Sequence, residues 1–150
     1  MRQSPARGRR CGPSDGVAMT VRVRMQGRTI KAGKAEGTAL VSPEPIGFLG
    51  GIDPETGRVV EPGHGLQGER VTNRVLVFPT GKGSTVGSYT LYRMAVSGTA
   101  PAAIVNAESE AIVAVGAIIA DIPMVDQVDI TRIQTGDWVQ VDGNCVVVER

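Results

Sequence analysis

Between residues 73 and 126 the chain switches repeatedly between two patterns, and this alternation limits its fold more than any other feature. Short apolar runs, Asn73 to Phe78, Ala102 to Val105 and Ile122 to Val125, are separated by two longer stretches of helical character, Ser84 to Ser97 and Ser109 to Ala120. Gly98 stands where a helix ending at Ser97 needs a terminator. Strand-length runs alternating with helical patterns predict a βαβαβ unit, so the expected class is α/β, with mixed β strands around that centre.

The flanks read differently. Thr20 to Met25 alternates Val21 and Val23 with Arg22 and Arg24, and Gly37 to Ser42 is a second small apolar run, so the amino half reads as β. Residues 43 to 72 hold Pro43, Pro45, Pro54 and Pro62 with seven glycines, which forbids long helices and central strands and suits a long, shaped loop region. Trp138 to Val148 carries two strand patterns around Asp142-Gly143-Asn144 and reads as a closing hairpin. The first eighteen residues are rich in Arg, Gly, Pro and Ser without an apolar period, which predicts a disordered tail (1–18) before a single domain (19–150).

Composition removes several function classes. Sixteen basic residues against fifteen acidic ones leave no field to gather nucleic acid or a membrane surface, and two Phe, two Tyr and one Trp make no stacking platform. Nor is there an apolar run long enough to span a bilayer. Cys11 and Cys145 form no CxxC or CxxH pattern and His64 is the single histidine, so a metal bound by this chain alone is not expected. Two cysteines make no disulfide framework either, which favours a reducing cytoplasm.

Chemistry concentrates at the first strand-to-helix turn, where Gly81-Lys82-Gly83-Ser84-Thr85-Val86-Gly87-Ser88 follows Val75-Leu76-Val77-Phe78-Pro79. A glycine-bracketed serine at a helix start aims one hydroxyl and several amides at an anion. Ser84 also suits the ordinary role of N-cap. That role leaves Gly81, Gly83 and Gly87 unexplained, since glycines weaken a helix start and serve where backbone approaches a ligand. Lys82 is either a plain exposed lysine or a cation that steers phosphate or carboxylate; GxxxxGK[ST] is absent, so nucleotide hydrolysis is unsupported.

Three further candidates have a structural reading beside the functional one. His64, between Gly63 and Gly65, reads first as a solvent-exposed turn histidine and second as an acid/base or substrate contact. Asp53 precedes Pro54 and reads first as a turn former. Glu108 and Glu110 fall in the first turn of the second helix, where the helix dipole favours acids. Ile112, Val113, Val115, Ile118 and Ile119 make that helix apolar on nearly every side, which suits core or a subunit interface.

Taken together, GFLGGIDPETG (47–57), GHGLQG (63–68), VLVFPTGKGSTVGSYTLYRM (75–94), GTAPAAIVNAESEAIVAVGAIIADIPMVD (98–126) and VQVDGN (139–144) resemble the small, swivel-domain subunit of the aconitase X family. The resemblance covers nearly everything after the tail. It implies a β/β/α swivelling domain like the fourth domain of aconitase, closing over an iron–sulfur cluster, expected as 4Fe–4S, whose cysteines belong to a larger partner subunit. It implies a hydro-lyase in which cluster iron takes the substrate carboxylate and leaving hydroxyl while a serine of the swivel domain removes the adjacent proton. The family's serine, in G-[KR]-G-S-[ST], falls on Ser84; Lys82, Gly83, Thr85, Gly50, Gly51, Asp53 and His64 are the implied substrate contacts. Such a serine needs helix amides, Lys82 and exclusion of water to make its alkoxide accessible.

Departures from the pattern narrow the substrate. Val86 replaces the arginine that follows the serine pair in aconitase, so citrate is not expected, and Gly65 replaces the proline more usual after the histidine. Two activities compete within the family. GKGSTVGSY with AIIADIPMVD looks closest to members that dehydrate mevalonate 5-phosphate to trans-anhydromevalonate 5-phosphate in isoprenoid synthesis. Members that dehydrate cis-3-hydroxy-L-proline more often carry FWGG and GRGSSS, where this chain has Phe48-Leu49-Gly50-Gly51 and Ser84-Thr85-Val86. A non-catalytic swivel, gating or anion-binding module is the remaining reading.

Overall fold

The structure is a computed structural model that describes residues 22–81 and 87–149. The eight strands are β1 (Arg22–Gln26), β2 (Arg28–Lys31), β3 (Lys34–Val41), β4 (Val75–Phe78), β5 (Ala103–Asn106), β6 (Met124–Asp126), β7 (Trp138–Asp142) and β8 (Cys145–Glu149). The helices are α1 (Gly87–Ser97) and α2 (Ala111–Ala120), with a 3₁₀ turn at Ile130–Arg132. One sheet runs in the order β1-β8-β7-β3-β4-β5-β6-β2. Its centre, β3 to β6, is parallel; β1, β8 and β7 continue it antiparallel on one side, and β2 pairs antiparallel with β6 on the other.

The period of two along the central strands divides their side chains between two cores. Leu40, Leu76, Phe78, Ile104 and Met124 face one side and pack with Leu91 and Met94 of α1, Val113 and Ala117 of α2, and Ile46, Phe48, Ile52, Val59, Leu66 and Val71 of the long loop. Ala39, Val75, Val77, Ala103, Val105 and Val125 face the other side and pack with Met25, Val139, Val141, Val146 and Val148. The antiparallel part therefore folds back over the parallel part. The layers are antiparallel sheet, parallel sheet and helices, the β/β/α arrangement of an α/β fold with a central βαβαβ unit.

Residues 43 to 72 form a shaped loop, as their prolines and glycines imply. Short bridges hold it together, Ile52 with Val59 and Arg58 with Arg70. Its apolar residues fill the helix-side core. Several details differ from the sequence reading, among them three element starts. Strand β3 begins at Lys34 because it pairs with β7 from that residue onward, not only with β4. Strand β6 starts at Met124, since the Ile122 amide instead donates to the Ala117 carbonyl as part of the α2 terminus. Helix α2 starts at Ala111 because Glu110 caps it, its carboxylate accepting from the amides of Ile112 and Val113. Glu110 is thus a structural acid, serving as the cap itself.

Helices α1 and α2 cross where Gly116 lets them approach. A Cβ there would stand 2.8 Å from Leu91 Cδ1 and 3.1 Å from Ser88 Cα. Gly116→Val should force the helices apart and lower stability by about 1–3 kcal/mol, despite the better helix propensity of a residue with a side chain. Chemical denaturation of the two proteins measures the difference.

Candidate functional site

The carboxyl ends of the parallel strands converge on one edge, the place where open parallel sheets present ligands. β4 leaves the sheet at Phe78 and runs through Pro79 and Thr80 to Gly81. Each carbonyl on this exit has its own partner. The Phe78 carbonyl accepts from Asn106 Nδ2 at 3.0 Å, that of Pro79 from the Glu108 amide at 3.0 Å, and that of Thr80 from the Ile46 amide at 3.3 Å. Lys82, Gly83, Ser84 and Thr85 follow, and these four candidates lie outside the described residues.

The two glycines flanking that segment are described, and both are buried against neighbours that leave no room for a side chain at one of them. A Cβ on Gly81 would run into Val113 Cγ2 and stand 3.0 Å from Glu110 Oε1; one on Gly87 would touch Ile112 Cγ2 at 3.5 Å and the Leu49 amide at 3.9 Å. Gly81 also bridges to Ile46. Ile46 thus meets Gly81 and Leu49 meets Gly87, which brings the Phe48-Leu49-Gly50-Gly51 turn to the same edge. Gly51 sits tightly there, since a Cβ would strike the Gly47 carbonyl oxygen. Gly50 has φ of 79°, a left-handed conformation that favours glycine, and is exposed.

Asp53 and His64 shape this loop. Asp53 Oδ1 accepts from the Glu55 amide at 2.9 Å, and its backbone pairs with Arg58 and Gly57, so it closes the turn at Pro54. His64 is not the exposed turn histidine that its flanking glycines suggested. Its side chain is 3% exposed. The Leu66 amide donates to Nδ1 at 3.0 Å, so the ring proton is on Nε2, which donates to the Pro45 carbonyl at 3.3 Å. With both nitrogens engaged, the ring ties the GHG turn to the Pro45 carbonyl, with Glu44 Oε1 3.7 Å from Nε2.

Two polar residues at the same edge had no place in the sequence reading. Asp126, ending β6 with no exposure, accepts two bonds from the Arg28 guanidinium, 3.0 Å from Nε and 2.8 Å from Nη2, and one from the Ser109 amide at 3.0 Å. Burial alone would push this carboxyl up, but the Arg28 and Ser109 hydrogen bonds outweigh it and hold it below its ordinary value. The hydrogen bond to Asp126 likewise raises Arg28. Asn106, ending β5, is fully buried; its Nδ2 also lies 3.3 Å from the Val105 carbonyl, and its Oδ1 has no hydrogen-bond partner among the described residues. An unpaired buried acceptor costs about 1–3 kcal/mol. The available signal in both cases was a polar residue closing an otherwise apolar strand run, AIVN and MVD.

The chain's donor set does not fit an iron–sulfur cluster. Such clusters are held mainly by cysteine thiolates, three or four to a cluster, and the whole chain has two cysteines. Among the described residues no group of three or more His, Cys, Asp and Glu could hold a metal ion. No helix among them is long and apolar enough to cross a membrane. The outward faces of the helices are apolar: Tyr89, Tyr92 and Val96 on α1 and Val115, Ile118 and Ile119 on α2 are all exposed, whereas Val113 is core.

Comparison with known proteins gives concordant results. Residues 24–149 match the family model for the aconitase X swivel domain. The phosphomevalonate dehydratase small subunit of Pyrococcus furiosus is 52% identical over 127 residues, 85% of this chain and 95% of that protein. The protein of the same name from Methanocella arvoryzae is 52% identical over 130 residues, 85% of this chain and 98% of its own length. A crystal structure of Thermococcus kodakaraensis aconitase X in its holo form superposes with a TM-score of 0.83 at 49% identity, covering 84% of this chain and 98% of that one.

The Arg28–Asp126 pair generates a pH prediction. A carboxylate whose folded value is depressed adds stability that is present above its unfolded value, about 4, and is lost as pH falls through the folded value. Arg28 stays charged throughout. Thermal melts from neutral pH down to about pH 3 should therefore show a steeper loss of Tm for the wild type than for Asp126→Asn, with the two curves converging in acid.

Proposed function

The chain belongs to the aconitase X swivel-domain family, and on that premise we propose that it is the small subunit of a hydro-lyase that dehydrates mevalonate 5-phosphate to trans-anhydromevalonate 5-phosphate. The observation that carries this reading is the extent of likeness to proteins named phosphomevalonate dehydratase small subunit, about half of all positions over nearly their whole length. The partner is a large subunit, which carries the iron–sulfur cluster as its Lewis acid. The exposed apolar faces of α1 and α2 suit a chain that works against a partner.

This chain's part is proton removal and orientation. Ser84, as its alkoxide, takes a proton from the carbon next to the carboxylate; the electron pair left behind forms the double bond as the hydroxyl on the following carbon departs as hydroxide, and the proton held by Ser84 then joins that hydroxide as water and restores the alkoxide. Gly81 and Gly87, which flank the serine segment in sequence, pack against α2 and the 46–51 loop. Lys82, Gly83 and Thr85, with Gly50 and Gly51 of the neighbouring turn, are the substrate contacts, the glycines admitting backbone amides close to the phosphate or carboxylate. Asp53 and His64 act one step back, holding the loop that presents Gly50 and Gly51.

Anaerobic co-expression with the large subunit provides the test. Wild type should release water from mevalonate 5-phosphate, and Ser84→Ala should lower kcat by about 10²- to 10⁴-fold with the two chains still associated. Turnover of cis-3-hydroxy-L-proline alone would move the chain to the other branch of the family. Undiminished turnover by Ser84→Ala would remove the serine as base and favour a gating module.

A further inference from the structure

Asn106 is the one polar side chain in β4 and β5. Its neighbours in that layer, Val77 and Val105, show what packing alone selects at positions without exposure. The orientation of its amide is fixed by what surrounds it. Nδ2 faces two carbonyl oxygens, Phe78 at 3.0 Å and Val105 at 3.3 Å, and the flipped amide would set oxygen against oxygen. That orientation leaves Oδ1 without a donor among the described residues. A residue retained at such a cost for its single good bond to Phe78 points to that bond as its purpose.

The bond holds the first of three consecutive carbonyls on the β4 exit. Those of Pro79 and Thr80 are held by backbone amides, of Glu108 and Ile46. The Phe78 carbonyl, in ladder register with β5, takes a side-chain donor as well, and that is the contact on this exit that a single substitution removes. Phe78 lies six residues before Ser84. A base displaced by about 1 Å can lose two orders of magnitude in rate. We propose that Asn106 is a positioning residue of the dehydration, fixing through the Phe78 carbonyl the strand end from which the serine-bearing turn departs; the proposal rests on the reading of Ser84 as the base.

The test uses the assembled two-subunit enzyme with Asn106→Leu and Asn106→Asp. Asn106→Leu removes the donor in an apolar side chain of similar volume, and kcat should fall about ten- to hundred-fold with KM within about three-fold of wild type. Asn106→Asp replaces the amide with a carboxyl that can donate to Phe78 only while protonated. Its kcat relative to wild type should therefore rise as pH is lowered from about 8 toward 5, the protonated form being favoured by burial among carbonyls. A residue important only for folding would lower Tm in both variants without that pH-dependent recovery. Unchanged kcat in Asn106→Leu, or in its place, should that variant not fold, a flat ratio of Asn106→Asp to wild type, overturns the proposal. Wild type that turns over cis-3-hydroxy-L-proline instead overturns the substrate assignment only, and the same two variants then score Asn106 on that substrate. A wild-type assembly inert toward both overturns the reading and the proposal with it.

Discussion

Strand β4 is buried at every one of its four positions, Val75 and Val77 against the folded-back antiparallel sheet, Leu76 and Phe78 against the helices. A strand covered on both faces and paired in parallel on both edges reads as a nearly continuous apolar run and can meet solvent only at an end. This constraint organises the molecule. It makes the helices cover one side and the β1-β8-β7 layer the other, and it confines chemistry to the carboxyl edge, where β4 turns into the serine segment, β5 ends in Asn106 and β6 ends in Asp126.

The same edge is where buried polar groups are placed and partnered. Asp126 draws Arg28 across from the edge strand β2 and holds the Ser109 amide at the entry to α2. Glu110 then caps α2 while standing beside Gly81, so one acid serves both the helix start and the wall of the site. Charge and hydrogen bonding here fix backbone.

Much of the fold was legible because its signals are local. The βαβαβ unit and the closing hairpin come from short apolar runs, helical stretches and turn residues, each contained within a dozen positions. Strand β2 was not legible: Arg28-Thr29-Ile30-Lys31 has one large apolar residue, and it becomes a strand through its pairing with β6 and the Arg28–Asp126 bond, nearly a hundred residues away in sequence. His64 misled for a related reason. Its glycine neighbours suggested exposure, whereas their freedom lets the turn fold in and deliver the ring to the Pro45 carbonyl. Ser84 stood out by its glycine bracket, while Asn106 did not, because a lone Asn at a strand end gives no sign that its amide will reach a carbonyl on the next strand.

Division of labour between two chains is the central claim, and reconstitution tests it most directly. Purified small chain would be titrated anaerobically into purified large subunit while loss of water from mevalonate 5-phosphate is followed. Activity absent from either chain alone, rising with added small chain and saturating at a fixed ratio, is the predicted result. Full activity from the large subunit by itself would contradict it.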